Sequence, residues 1–471
     1  MNNKKRWLIL MCVGLITFMN TLDSSIVNVA LPVINKDLHI TMSLSELVVS
    51  VYLIGICALL IPFGKLGDHY GKVKIFKIGM IIFTLGSLTA ALSNNLTFLL
   101  VSRLIQALGA SMTMSNNNGI ITEVFPANER GQALGWIGSF VALGMIAGPG
   151  IGGLLLAQFH WSSIFWVNVP IGIVIIIISH FILPASATNP DAQSNWLDMS
   201  LFALGIIGLF GFMYAGQNLG YASSLPLGLI IIAIIAFTLF VVFERKASTK
   251  MIDYHLFKNA HFSFGLFSAF IVFITNNFYM VLMPFYLEDI RTVPIAVTGL
   301  MMTILPIIQV IVAPVSGHLA DVKGIGKVTM TGLIVLVATQ LGLFILNINS
   351  PLIECLLFIG MMGIGNGVFQ SPNNAMIMSS APKTELGVAG SVNALSRNFG
   401  MVTGNAAATS LLFMFMSFKV GKNISNITND HALFIFGQHN VYLIGLILLV
   451  IVLIIDIQME RKNKEIKNDK N

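Results

Sequence analysis

The sequence predicts an all-α polytopic membrane protein with fourteen transmembrane helices. Three observations carry that prediction. The first is composition: 56% of residues are hydrophobic, only 10% are charged, and the mean hydropathy is +0.85. A soluble globular chain carries about 25% charged residues, so this chain has too little charge to cover a water-facing surface. The second is that the apolar residues gather into runs of membrane-spanning length, about 18 residues or more. The third is the placement of charge. With the N-terminus in the cytoplasm, most of the 26 Lys and Arg fall in inner segments, and the outer segments hold only Lys36, Arg291, Lys419 and Lys422. This is the positive-inside pattern, and it places both termini in the cytoplasm. The net charge of +6 is therefore read as topogenic, and no nucleic-acid partner is expected.

The spans are justified in order. The run 7–34 follows Lys4, Lys5 and Arg6 and is too long for a signal-peptide core; Asp23 interrupts it, so it reads as an uncleaved first span. The runs 44–64 and 74–93 flank a short basic loop, 97–121 carries Arg103, 132–156 is glycine-rich, and 163–183 completes a first set of six. The segment 184–198, "PASATNPDAQSNWLD", should be cytoplasmic yet has no Lys or Arg. Two further runs, 197–217 and 225–243, form a pair followed by the basic segment 244–261. The second set of six comprises 262–287, 295–319, 328–346, 352–378, 387–416 and 439–458. The expected organisation is a six-helix bundle at 1–183, an inserted helix pair at 184–243, a linker and second six-helix bundle at 244–458, and a basic cytoplasmic tail at 459–471. Cys12, Cys57 and Cys355 all lie in apolar runs, so they read as packing residues, and neither a disulfide nor a metal site is expected.

The two sets of six are related by a weak repeat. Gly64-x-Leu66-x-Asp68-x-x-Gly71 aligns with Gly317-x-Leu319-x-Asp321-x-x-Gly324, each following an even-numbered span on the inner side. Transporters built from repeated halves show such symmetry. Gly64 and Gly67 are expected to end the second helix tightly, and Asp68 to cap the third. Lys72, Lys74 and Lys77 would hold the loop at the level of the lipid phosphates. A tight turn with topogenic charge is the simpler explanation for one copy; two matched copies favour a gating element, with Asp68 pairing across the inner seam to Arg130.

At these residues the sequence resembles the major facilitator superfamily, in particular its fourteen-span drug:proton antiporter branch. The resemblance runs through the "GKLGDHYGK" loop, "LDSSIVNVALP" from Leu22 to Pro32, Arg103 to Ala110, "GMIAGPGIGG" from Gly144 to Gly153, and "FWVNVPIG" from Phe165 to Gly172. His69 stands where the family usually has Arg, and so does Lys72. The resemblance implies a major facilitator fold of two six-helix bundles plus two inserted helices, and a coupling role for the positions of Asp23 and Arg103.

Charges inside a bilayer are costly and mark function by default. At 1.5 Å per residue, Asp23 lies roughly 24 Å from the inner face, Arg103 roughly 10 Å below the outer face, and Glu46 roughly 4 Å below it. The three can share one level. A pair with Arg103 favours the ionised carboxylate and burial without it favours the protonated acid, so separating the two would let Asp23 take up a proton. A bound organic cation would compete with that proton. The alternative is a fixed ion pair joining the first and fourth spans. Glu46 is read either as a coupling residue or as a rim charge facing outer water. Glu354, about 5 Å below the outer face, is a second cation-binding carboxylate or a rim charge. Asn116, Asn277, Gln309, Gln370 and Asn374 are candidate cavity-lining residues, together with Asp23. The Gly144-x-x-x-Gly148 face and Pro149 suit a thin, kinked helix, expected to rock against its partner in the other half.

The sequence therefore reads as a proton-coupled multidrug efflux antiporter, exporting amphipathic cationic small molecules by alternating access across a bacterial plasma membrane. It is expected to act as a monomer, to catalyse no covalent chemistry and to need no cofactor; no GxxxxGK[ST] for ATP is present. The alternatives are a proton-coupled nutrient or metabolite symporter, and a non-transporting membrane sensor or scaffold.

Overall fold

A computed structural model describes residues 3–126, 129–184, 196–246, 254–381, 386–422, 424 and 430–468. Among these residues its secondary structure is all helical, with short turns and loops between the helices. In order, α1 spans Asn3–Asp37, α2 Met42–Tyr70, α3 Lys72–Ala91, α4 Leu96–Val124, α5 Arg130–Gln158, α6 Ser163–Trp166 and α7 Asn168–Ile182. Then come α8 Trp196–Leu219, α9 Ser224–Lys246, α10 Ala260–Phe285, α11 Ile295–Lys323, α12 Ile325–Ile345, α13 Leu352–Ser379, α14 Leu386–Val420 and α15 His431–Asn468. The short α6 and α7 together make the sixth span. Among the described residues, fourteen helices are long and apolar enough to cross a membrane. With no water in the bilayer core, only helices or closed barrels satisfy the backbone there.

The helices overrun the apolar runs at the polar ends. The last begins at His431, earlier than the apolar run at 439, because Gln438 is fully buried and His439 bonds the carbonyl of Leu346 at 2.6 Å. It also continues as helix through most of the basic tail. Helix starts are capped where the sequence allows: Asn95 Oδ1 accepts from Phe98 N–H at 2.9 Å at the head of α4, and Asn259 does the same for α10.

The chain divides into two compact units, residues 1–253 and 254–471. In the first, α1 packs on α5, α2 and α3 on α4, and α3 on α7. In the second, α10 packs on α14, α11 and α12 on α13, and α12 on α15. The same packing order thus recurs in both halves. The inserted pair belongs to the first unit: α8 packs on α9 and on α2.

The repeated loop takes the same form twice, at the helix joints α2–α3 and α11–α12. Gly71 has φ 99° and ψ 124°, and Gly324 has φ 93° and ψ 138°. Each breaks the chain between two helices in a conformation that only glycine adopts readily. This corrects the sequence reading. The second helix does not end at Gly64 or Gly67; it runs to Tyr70, and Gly71 is the break. Gly67 instead lets α4 approach, since a methyl there would overlap the Asn116 amide.

Candidate functional site

The site is built where five helices of the first unit meet. Asp23, two-thirds along α1, is fully buried. Its Oδ2 accepts from Arg103 Nη1 of α4 at 2.5 Å. Its Oδ1 accepts from Gln106 Nε2 at 3.1 Å and from Asn168 Nδ2, at the head of α7, at 2.9 Å. All three partners donate, so the arrangement is matched to a carboxylate. Gln106 lies one turn beyond Arg103 on the same helix face. Its carbonyl accepts from Arg103 Nη1 at 2.8 Å, and its amide also donates to Ser87 of α3 at 2.8 Å.

Arg103 is fully buried as well. Its Nε donates to the Val48 carbonyl of α2 at 2.9 Å, which ties a fifth helix to the network. The guanidinium lies 4.1 Å from the centre of the Tyr52 ring, also on α2, and 5.7 Å from that of Phe165. A desolvated guanidinium on an aromatic face gains about 2 kcal/mol, which offsets part of its burial. Removing one member of a buried ion pair strands the other and costs about 3–5 kcal/mol. The network therefore holds α1, α2, α3, α4 and α7 in one arrangement.

The geometry brings Asp23 and Arg103 together, as their depths suggested. Gln106, Asn168, Ser87 and Tyr52 were missed as partners. Gln106 and Asn168 sit inside the quoted stretches "RLIQALGA" and "FWVNVPIG", but uncharged residues give no depth argument that would single them out.

Of the two readings of Glu46, the rim charge facing outer water is ruled out: the residue is 1% exposed on α2. One turn further along α2, Ser50 is hydrogen-bonded to the hydroxyl of Tyr214 on α8. The inserted pair thus meets the first bundle beside a buried acid.

The glycine face of α5 is also corrected. Gly144, Gly148 and Gly152 turn towards α1: a methyl at Gly144 would lie 2.7 Å from the Phe18 carbonyl, and one at Gly148 would overlap Ser25 Oγ. Ser25 Oγ donates to the Gly144 carbonyl at 3.0 Å. Small residues let these two backbones touch, and the helix they admit is the one that carries Asp23. Pro149 is buried within α5.

At the other end of the unit, Asp68 caps nothing. It lies inside α2 and pairs with Lys72 at 3.0 Å, while Lys72 also binds Glu123 of α4 at 2.7 Å. Lys72 thus bridges α2, α3 and α4. Arg6 pairs with Glu129 at 3.2 Å, linking the start of α1 to the start of α5. The side chains of Arg130 and Asp321 lie outside the described residues.

The remaining candidates are dispersed. Asn116 donates to the carbonyls of Phe63 and Met112, and Asn277 to that of Phe273 in its own helix, so both spend their amides on helix backbone. Gln309 of α11 donates to Gln370 of α13 at 3.1 Å, and Asn374 of α13 accepts from Asn393 of α14 at 2.9 Å. Glu354 is half-buried in the first turn of α13. In the second unit the α10–α13 contact that parallels α1–α4 is neutral: Asn276 and Asn366 exchange amide hydrogen bonds at 2.9 and 3.0 Å.

Comparison with known proteins gives the family. The model of the Major Facilitator Superfamily matches residues 13–405 and 265–457. The riboflavin transporter RibZ of Clostridioides difficile is 35% identical over 88% of this chain and 90% of its own length. The multidrug resistance protein Stp of Mycobacterium tuberculosis is 29% identical over 88% of this chain and 77% of its own. Among solved structures, a peptide transporter in complex with sulfate covers 96% of this chain and 95% of its own at a TM-score of 0.70 and 15% identity, which speaks to the fold alone.

Proposed function

Because the chain belongs to the major facilitator superfamily, we propose that it is a proton-coupled exporter of amphipathic, cationic small molecules, working as a monomer by alternating access in a bacterial plasma membrane with both termini cytoplasmic. One observation carries this reading: a fully buried carboxylate, Asp23, is held by Arg103, Gln106 and Asn168, all of them donors. A group held this way has two uses. Ionised, it satisfies the network. Released from it by a movement of α1 against α4, the desolvated acid takes up a proton. A cationic solute reaching the same carboxylate displaces that proton, so the two exchange across the membrane. No covalent step is involved.

The Lys72 bridge to Asp68 and Glu123, and the Arg6–Glu129 pair, are latches that hold one end of the first bundle shut and break in the other state. Glu46 contributes a second acid whose environment the inserted pair controls. Glu354, Gln309, Gln370 and Asn374 are proposed to contact solute in the second unit.

A second reading is transport of a flavin-like metabolite. The 35% identity to a riboflavin transporter supports it. The test is reconstitution in vesicles with an imposed pH gradient, adding ethidium or riboflavin. Ethidium-driven proton movement in the opposite direction, abolished by Asp23→Asn, is expected. Movement of riboflavin alone, or of solute and proton in the same direction, would overturn the exporter in favour of metabolite transport.

A further inference from the structure

A cavity of about 210 Å³ lies in the second unit, at the end of α15 that leads into the basic tail. It is separate from every residue assigned above. Three helix ends and one helix interior enclose it: the start of α10 with His261 and Phe264, the start of α12 with Ile325 and Gly326, the end of α13 with Met376, and α15 with Asp456, Met459 and Glu460.

Asp456 and Glu460 are one turn apart on α15, so both carboxylates lie on one face. Asp456 is only 4% exposed, and its Oδ2 is buried with no hydrogen-bond partner among the described residues. A buried charged oxygen without a partner is costly. Glu460 reaches across to α12, where a methyl on Gly326 would overlap its Oε1. It thus sits at a helix N-terminus that no side chain caps, where negative charge is favoured. Glu460 is thereby partly compensated, and Asp456 is left as the unsatisfied acid. The titratable groups around Asp456 are Glu460 on its own helix and His261 on α10; α12 contributes Ile325 and Gly326 to the lining, and α13 Met376, Ser379 and Ser380.

We propose that this cavity is a cation site distinct from Asp23, taking a compact organic ammonium ion with its charge against Asp456 and its carbon frame among Phe264, Met376 and Met459. Three features select that class. The acids supply the charge. The walls are aromatic and thioether, which suit the apolar part and the cation alike. Among the described residues no group of three or more His, Cys, Asp and Glu is placed to hold a metal ion, and the hydroxyls of Ser379 and Ser380 both donate to the Met376 carbonyl, which leaves their oxygens as acceptors for an ammonium N–H. Occupation would tie α15 to α10, α12 and α13.

The test titrates the full-length protein in nanodiscs with benzylammonium, read by saturation-transfer NMR, in an Asp23→Asn background that removes binding at the other carboxylate. Saturable binding is expected, weakened at least tenfold by adding Asp456→Asn, weakened by Glu460→Gln, and weakened by acidification as protons compete. Neutral benzyl alcohol should not displace the amine. Undiminished binding in the Asp456→Asn protein, equal competition by benzyl alcohol, or no saturable binding would overturn the proposal. So would a site that takes up a proton at Asp456 but ignores the amine. If Asp456→Asn does not fold, acidification and the neutral analogue decide the matter. None of these outcomes depends on whether the protein exports drugs.

Discussion

Asp23 is the residue on which everything else is arranged. Its charge was legible in the sequence because one acid in an apolar run stands out, and helical rise put Arg103 at a matching depth. Its neutral partners were not legible: Asn168 is one of many amides in the spans, and only the approach of α7 to α1 gives it a role. Asn168→Leu removes one of the donors to the Asp23 carboxylate, so the pH profile of transport should change. Transport assayed across a pH series checks this; an unchanged profile would remove Asn168 from the coupling site. Arg103→Met should destabilise the protein by about 3–5 kcal/mol, because it strands a buried carboxylate. In an Asp23→Asn background the same change should cost much less. Thermal unfolding in detergent, read as a double-mutant cycle, measures the difference.

At the scale of elements, the helices were the most legible part of the chain, because a bilayer admits few alternatives to an apolar helix. What the sequence did not disclose was which face of each helix meets which neighbour. The α5 glycines were expected to face the other half, yet they admit α1. Spacing shows that a thin face exists and is silent on its partner. Gly148→Leu should force α1 and α5 apart and shift Asp23, abolishing transport while leaving membrane insertion intact; vesicle flux together with surface expression tests this. The turn glycines behave differently. Gly71→Ala and Gly324→Ala should each cost about 1–3 kcal/mol through backbone strain alone. Gly138→Ala, in the middle of α5 with open space around it, should be neutral or slightly stabilising. Comparable losses at all three sites would show that the positive-φ joints carry no special strain.

At the scale of the molecule, the two units repeat one packing order but not one chemistry. The first holds an ion pair at its α1–α4 contact, and the second holds an amide pair at α10–α13. The frame is duplicated, and the ion pair at this contact is not. The repeat was visible as two short glycine motifs, whereas the neutral pairing was not, since Asn276 and Asn366 carry no charge to mark them. The inserted pair docks on α2 beside Glu46 through Tyr214 and Ser50. Tyr214→Phe should therefore loosen α8 from the bundle by about 1 kcal/mol and alter the pH response of transport without abolishing it. An unaltered pH response would leave the pair with a structural role only.

The most direct measurement follows the acid of the first helix itself, by infrared difference spectroscopy of the reconstituted protein as a transported cation is added at constant pH. The expected result is the loss of a protonated-carboxyl band on cation binding, present in the wild type and missing from Asp23→Asn. Export driven by a proton gradient with no change in that band would contradict the exchange of proton and solute at this carboxylate.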